Sequence, residues 1–301
     1  RRGAPTACRS GHRHLTRTTV LAMRASVPLL CLLAACGAAP NLPTADSEAM
    51  MAEARRLFAE GNLPGALAVL EQNDRHRLPV SLQPAHAILL ARTKLGLGDP
   101  WEAFVALRDF ADEHPHSDLR EQAIELEFTA GSTLAQSDAG FLFFWSDKRG
   151  ARTCLEHLIT RYPNCPQVPD ALRILGELAL ENQDYLGAED RFRELLRRHP
   201  ESEWAPLARF RYAMSLVASL RGPEYDLEGM ENACKELRVF LEKPPENPQF
   251  VAEAAAALDR ILAWRADHHL GVAQFYATVG NSAGDREMRP PDRRPPVRDW
   301  V

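Results

Sequence analysis

A small residue recurring at one place in a repeated pattern limits the folds open to this chain more than any other feature. Four passages align: "AEGNLPGALAVLEQ" (59–72), "GLGDPWEAFVALRDFADEHP" (96–115), "WSDKRGARTCLEHLITRYP" (145–163) and "NQDYLGAEDRFRELLRRHP" (182–200). A fifth, "GMENACKELRVFLEKPP" (229–245), fits less well at its start. The shared residue is Ala66, Ala103, Ala151, Ala188 and Ala233; after the last four a proline follows twelve residues later, at Pro115, Pro163, Pro200 and Pro245. Four residues before the first four alanines stand Asn62, Asp99, Asp147 and Asp184. Each is a residue whose side-chain oxygen can cap a helix, and the alanine then lets a neighbouring helix approach. Leu107/Phe110, Leu155/Leu158, Phe192/Leu195 and Leu237/Phe240 follow at four and seven residues, which puts them on one helical face. The proline ends the helix.

A second amphipathic helix precedes each capped one, over roughly 47–60, 84–96, 118–135, 169–182, 203–220 and 250–279. Helix–turn–helix units with alanine and proline at this spacing resemble tetratricopeptide repeats. The alanine spacings of 37, 48, 37 and 45 exceed the usual 34, and the excess falls in loops at 137–150 and 221–229. Strand signals are nearly absent. The expected fold is therefore an all-α tetratricopeptide-repeat solenoid of about five helix-turn-helix units over residues 48–281.

The amino-terminal region reads differently. Met23-Arg24-Ala25-Ser26 supplies a start and a positive charge, and Val27–Ala35 supplies nine mostly apolar residues. A membrane span needs roughly 20, whereas a basic segment, a short apolar stretch and small residues form a signal peptide. Leu33-Ala34-Ala35-Cys36 resembles the bacterial lipobox. That resemblance implies lipidation of the Cys36 sulfur, cleavage before it and acylation of the new amino terminus; Gly37 in place of Asp implies sorting to the outer membrane. The other reading is a secretory peptide that happens to end in cysteine. Residues 1–35 are thus expected to be leader and signal peptide, 36–47 lipidated cysteine and tether, and 282–301 a Pro/Arg-rich disordered tail.

Charge excludes one class of partner. No acidic residue precedes Asp46, while six arginines do, so the chain after residue 45 carries 30 basic against 41 acidic residues. Nucleic-acid binding needs the opposite balance.

The carboxy-terminal half carries a more specific likeness. Its last helix, with Ala266-Asp267-His268, Leu270, Val272-Ala273 and Phe275-Tyr276, resembles the BamD-like family, outer-membrane lipoproteins of the β-barrel assembly machinery. The resemblance spans about residues 48–281. It implies a lipid-anchored scaffold on the periplasmic face, partnered by a β-barrel assembly protein with periplasmic domains and by other assembly lipoproteins, with unfolded outer-membrane clients. After Gly280 the chain departs from the family, reading "NSAGDREMRPPDRRPPVRDWV" where another capped helix is usual. The alternative is a general adaptor lipoprotein in envelope division or peptidoglycan maintenance.

Nothing in the sequence calls for catalysis. The histidines are scattered, with no HExxH, GxSxG, phosphate loop or dinucleotide fingerprint. No zinc spacing occurs, and neither metal nor cofactor is expected. His199 precedes a helix-ending proline, where partial positive charge suits the dipole. Beyond the leader, Cys154 and Cys165 could pair, or all three of Cys154, Cys165 and Cys234 could be free. The run Phe141–Trp145 fits either inter-helix packing or a partner-facing patch. Repeat solenoids bind peptides along the concave face of their first helices. Alignment by the alanine puts Met51, Arg55 and Phe58, then Ile88, Arg92 and Leu95, then Arg173 and Glu177 on that face. Arg55 and Arg92 share one register. Guanidinium groups there suit carboxylates, against the plainer reading of solvated arginine.

Overall fold

The computed structural model describes residues 43–72, 75–137, 147–220, 222 and 226–279. All lie in the second of two units into which the chain divides, Pro40–Val301. Arg1–Ala39 with Cys36, the aromatic run 141–145 and the tail 282–301 lie outside the described residues.

Among the described residues no strand occurs, and the helices pair in chain order. α1 (Thr44–Ala59) pairs with α2 (Leu63–Glu71), and α3 (Gln83–Gly96) with α4 (Pro100–Leu107) and its short continuation α5 (Phe110–Glu113). Next come α6 (Arg120–Gln136) with α7 (Asp147–Arg161), α8 (Val168–Glu181) with α9 (Tyr185–Arg198), and α10 (Ala205–Ser219) with α11 (Leu227–Glu242). α12 (Pro248–Thr278) closes the array. Each first helix packs on its own second helix and on the second helix of the unit before. This is the expected all-α tetratricopeptide-type solenoid of five helix pairs.

Two small residues per unit make the pairing close. The five second-helix alanines are fully buried, as are the apolar residues four and seven positions beyond them. Facing them, the first helices carry Ala54, Ala91, Gly131, Gly176 and Ala213, all buried. In units one, two and four this residue stands twelve before the second-helix alanine. A Cβ on Gly176 would sit 2.6 Å from Phe192 Cζ, and one on Gly131 would sit 2.8 Å from Leu155 Cδ2. The core is consequently a succession of local clusters, each shared by adjoining helices, from Met51/Leu70/Leu89 to Phe210/Leu237/Ile261.

The turns repeat as well. Within a unit the first helix ends on a left-handed residue, Gly61 (φ 78°), Gly98 (φ 86°) or Gln183 (φ 58°). The next N–H then donates five residues back, Asn62 to Leu57 O, Asp99 to Lys94 O and Asp184 to Ala179 O, at 2.9–3.0 Å. This is the closing bond of a Schellman cap. Between units His114-Pro115, Tyr162-Pro163 and His199-Pro200 begin a turn in which the N–H of Ser117, Cys165 or Ser202 returns to the His or Tyr carbonyl at 3.1 Å.

Several details differ from expectation. α1 begins at Thr44, so the end of the expected tether forms its first turn. The helix expected to reach Pro115 breaks at Arg108–Asp109 and resumes as α5. Asn62 and Asp184 cap as expected, accepting from Gly65 N and Gly187 N at 3.0 Å. Asp99 makes no side-chain cap bond, and Asp147 is the first residue of α7 and accepts from Ser137 Oγ at 2.5 Å. The fifth unit is capped by Asp226, which accepts from Gly229 N at 2.7 Å and lies seven residues before Ala233. α11 thus starts about one turn early, which explains the poor alignment of that passage.

Three substitutions test the packing and the turns. Gly176→Ala should destabilise the fold by about 1–3 kcal/mol through overpacking, whereas Gly271→Ala, where a Cβ meets nothing within 4 Å, should stabilise by about 0.5–1 kcal/mol. Equal effects in denaturant titrations would refute the interlock. Separately, Gln183→Gly should raise stability by about 1 kcal/mol, because glycine carries no steric penalty at positive φ; a lower unfolding midpoint would contradict this.

Candidate functional site

The first helices touch one another (α1 with α3, α3 with α6, α6 with α8) and so line one face of the array. Between α1, α3 and the start of α6 that face opens into a pocket of about 270 Å³. Its walls are apolar: Phe58 from α1, Ala85, Ile88 and Leu89 from α3, and Leu119 at the foot of α6. Arg55, Arg92 and Gln122 supply the polar groups. Arg92 donates to Gln122 Oε1 at 3.0 Å. Arg55 is exposed and has no hydrogen-bond partner among the described residues. An apolar cleft bordered by two guanidinium groups without a carboxylate partner suits a chain segment that brings both a hydrophobic side chain and a negative charge.

The structure thus gathers four of the eight residues expected on this face: Arg55, Phe58, Ile88 and Arg92. Met51 is not among them, being buried in the α1–α3 core. Leu95 is half-buried and packs into the clusters around Leu107 and Phe104. Arg173 and Glu177 lie further along, on α8, each engaged with α10 or its N-cap. The Arg173 guanidinium lies over the Trp204 ring, 4.2 Å from its centroid, and Glu177 accepts from Arg211 Nε at 3.0 Å.

Leu119 and Gln122 escaped the sequence reading for a definite reason. Counting twelve back from Ala151 lands at Ala139, past the end of α6 and outside the described residues, so the third unit's first helix had no usable register. The signal that could have found it is Gly131, which stands twenty residues before Ala151.

A second polar group lies inside the array. Glu127 occupies on α6 the register that Leu172 holds on α8, four residues before the small residue, and is fully buried. Its Oε1 lies 2.6 Å from Nδ1 of His157 on α7, whose ring packs edge-on against Phe104. Its Oε2 has no hydrogen-bond partner among the described residues. Burial pushes the Glu127 carboxyl above its ordinary range, while the His157 contact pulls the other way. Burial and the Glu127 charge push the Cys154 thiol up and the Tyr162 hydroxyl up to about 12. These are poor nucleophiles in a packed interior.

Cys154, Cys165 and Cys234 are all free. His199 caps α9 as expected, but burial first and Arg198 second lower its pKa, so the charge expected there is disfavoured. Among the described residues no group of three or more His, Cys, Asp or Glu could hold a metal. None of the described helices is long and apolar enough to cross a membrane.

The far end of the array exposes apolar surface. α12 has 31 residues against 16 in its partner α11. In its last part Leu270 and Phe275 are 50% and 61% exposed, and its C-cap residue Val279 is 57% exposed.

Paired helices, a first-helix pocket and an extended last helix define a tetratricopeptide-type protein-interaction scaffold. Residues 145–282 match the YfiO family, described as outer membrane lipoprotein, and over that stretch the chain is BamD-like, as the sequence resemblance implied. No curated protein matches the chain significantly. Among solved structures, a tetratricopeptide repeat protein from Parabacteroides merdae ATCC 43184 is 14% identical, with 81% of this chain and 91% of that one covered at a TM-score of 0.37. A thermophilic TPR protein of Thermus thermophilus is 16% identical, with coverages of 70% and 98% and a TM-score of 0.32. The MamA protein is 15% identical, with coverages of 67% and 97% and a TM-score of 0.36. Likenesses this low leave the fold to be read from its own helices.

Glu127 gives the fold a pH signature. A carboxyl whose pKa is raised by folding contributes stability in full below the ordinary carboxylate pKa of about 4.3, and that contribution is lost as pH rises through the folded value. The stability of the wild type relative to Glu127→Gln should therefore fall as pH rises from about 4, in paired thermal melts. A difference that grows with pH would show that the charged pair, rather than burial, dominates.

Proposed function

We propose that this protein is a lipid-anchored scaffold on the periplasmic face of the outer membrane, serving the machinery that assembles β-barrel proteins. One conjunction carries the reading: a BamD-like match over residues 145–282 in a chain that also holds Leu33-Ala34-Ala35-Cys36. Residues 1–35 act as leader and signal peptide, and acyl chains on Cys36 hold the protein at the membrane, since two or more lipid signals anchor stably. Residues 37–42 then tether α1 to the anchor.

The two ends of the array take different loads in this scheme. The carboxy-terminal helices, including the exposed apolar end of α12, engage a β-barrel assembly protein with periplasmic domains and other assembly lipoproteins. The amino-terminal pocket takes unfolded clients. Its apolar walls accept a hydrophobic side chain, and Arg55 and Arg92 bind a carboxylate by charge-assisted hydrogen bonds. No step of this work makes or breaks a covalent bond.

A crosslinking pulldown from envelope fractions tests both halves. The wild type should recover a large β-barrel protein with periplasmic domains together with unfolded clients. The double variant Arg55→Ala/Arg92→Ala should keep the barrel protein and lose most of the clients. Depletion should lower outer-membrane porin levels. Unchanged porins, or recovery of peptidoglycan-remodelling proteins in place of the barrel protein, would overturn the assembly role.

A further inference from the structure

Arg173 stands where the repeat calls for an apolar side chain. Three residues after it comes the small Gly176; the same register holds Met51 on α1, Ile88 on α3 and Phe210 on α10, all buried. An arginine at this place needs a compensating group, and the described residues supply only an aromatic face. The guanidinium lies over the Trp204 ring, 4.2 Å from its centroid, an arrangement favoured by the ring quadrupole. Nε is buried and has no acceptor among the described residues.

The surroundings hold this guanidinium in place without neutralising it. Trp204 is fixed by its indole N–H, which donates to Asp170 Oδ1 at 3.0 Å, and by its backbone N–H, which donates to Ser202 Oγ at 3.2 Å. Asp170 is thus engaged with the indole. Glu177, one turn beyond Arg173 on α8, is engaged with Arg211. No carboxylate of the described residues lies within ion-pair distance of Arg173, so a planar, oriented cation is left with its hydrogen-bonding fork unused.

We propose that Arg173, stacked on Trp204, is a recognition site for the carboxylate of an aspartate or glutamate in a polypeptide bound along the first-helix face. The planar fork matches a carboxylate in bidentate geometry. Asp170 and Glu177 on either side set this occupant apart from a phosphate group, whose second negative charge they repel. The proposal rests on the reading of this face as a polypeptide-binding surface, and it adds a contact beyond the Arg55–Arg92 pocket.

The test uses the full chain in detergent and a fluorescein-labelled peptide of alternating Gly and Glu, with the Gly/Gln peptide as control and inorganic phosphate as competitor. Arg173→Met keeps an aliphatic stem on Trp204, and thermal melts report whether the variant is folded. Anisotropy should show the Glu peptide bound by the wild type, about tenfold more weakly by Arg173→Met, and intermediately by Arg173→Lys; the Gln peptide should not bind, and phosphate should not compete. Equal affinity in wild type and folded Arg173→Met, no binding to wild type, or displacement by phosphate would each overturn the site. Failure here with an intact envelope pulldown removes Arg173 alone. Success here with a failed pulldown removes the assembly role and leaves the carboxylate site standing.

Discussion

Everything in this structure depends on how closely two helices can lie. A small residue on each partner, such as Gly176 and Ala188 or Gly131 and Ala151, lets the backbones approach until large side chains from either side interdigitate. Phe192 packs over Gly176 because nothing stands there but hydrogen. Once a pair is this close, its outer apolar stripe faces the next pair, and the array extends by repetition. Each core cluster is built from helices near in sequence, so the fold closes only short loops and carries little entropic cost for long-range contacts.

Turns convert that pairing into a surface. The left-handed residue at Gly61, Gly98 or Gln183 reverses the chain within a unit, and the proline turns at 115, 163 and 200 set the step to the next. First helices therefore line one face, where side chains meet partners from the adjoining repeat: Asp170 with Trp204, Glu177 with Arg211, Arg92 with Gln122. Half-exposed polar contacts of this sort contribute little stability. Their effect is orientation, leaving some guanidinium groups spent and others available.

The sequence made much of this legible, and its omissions have physical causes. The buried alanines and the apolar residues four and seven positions beyond them could be placed because a helical face repeats at a fixed period. Met51 and Leu95 could not be separated from Arg55 and Phe58, since a face register does not say how far a neighbouring helix overlaps it. Asp226 went unrecognised because α11 is lengthened at its start, and Gln122 because twenty residues, rather than twelve, separate the small residue of α6 from Ala151. Glu127 is the hardest case. A carboxylate in a helix reads as solvated, and only the packing of α6 against α7 and α4 buries it beside His157.

By itself the sequence determined an all-α array of capped helix pairs, because small, apolar and turn-forming residues at fixed spacing admit few other arrangements. It also held the lipobox-like motif and the BamD-like last helix. Tertiary structure alone decided which of the exposed-looking residues are exposed, which arginines are already paired, and that Arg55, Phe58, Ile88 and Arg92 share one pocket. Those outcomes depend on the distance and stagger between neighbouring helices, which are set by the whole set of contacts and are written in no single stretch of the chain.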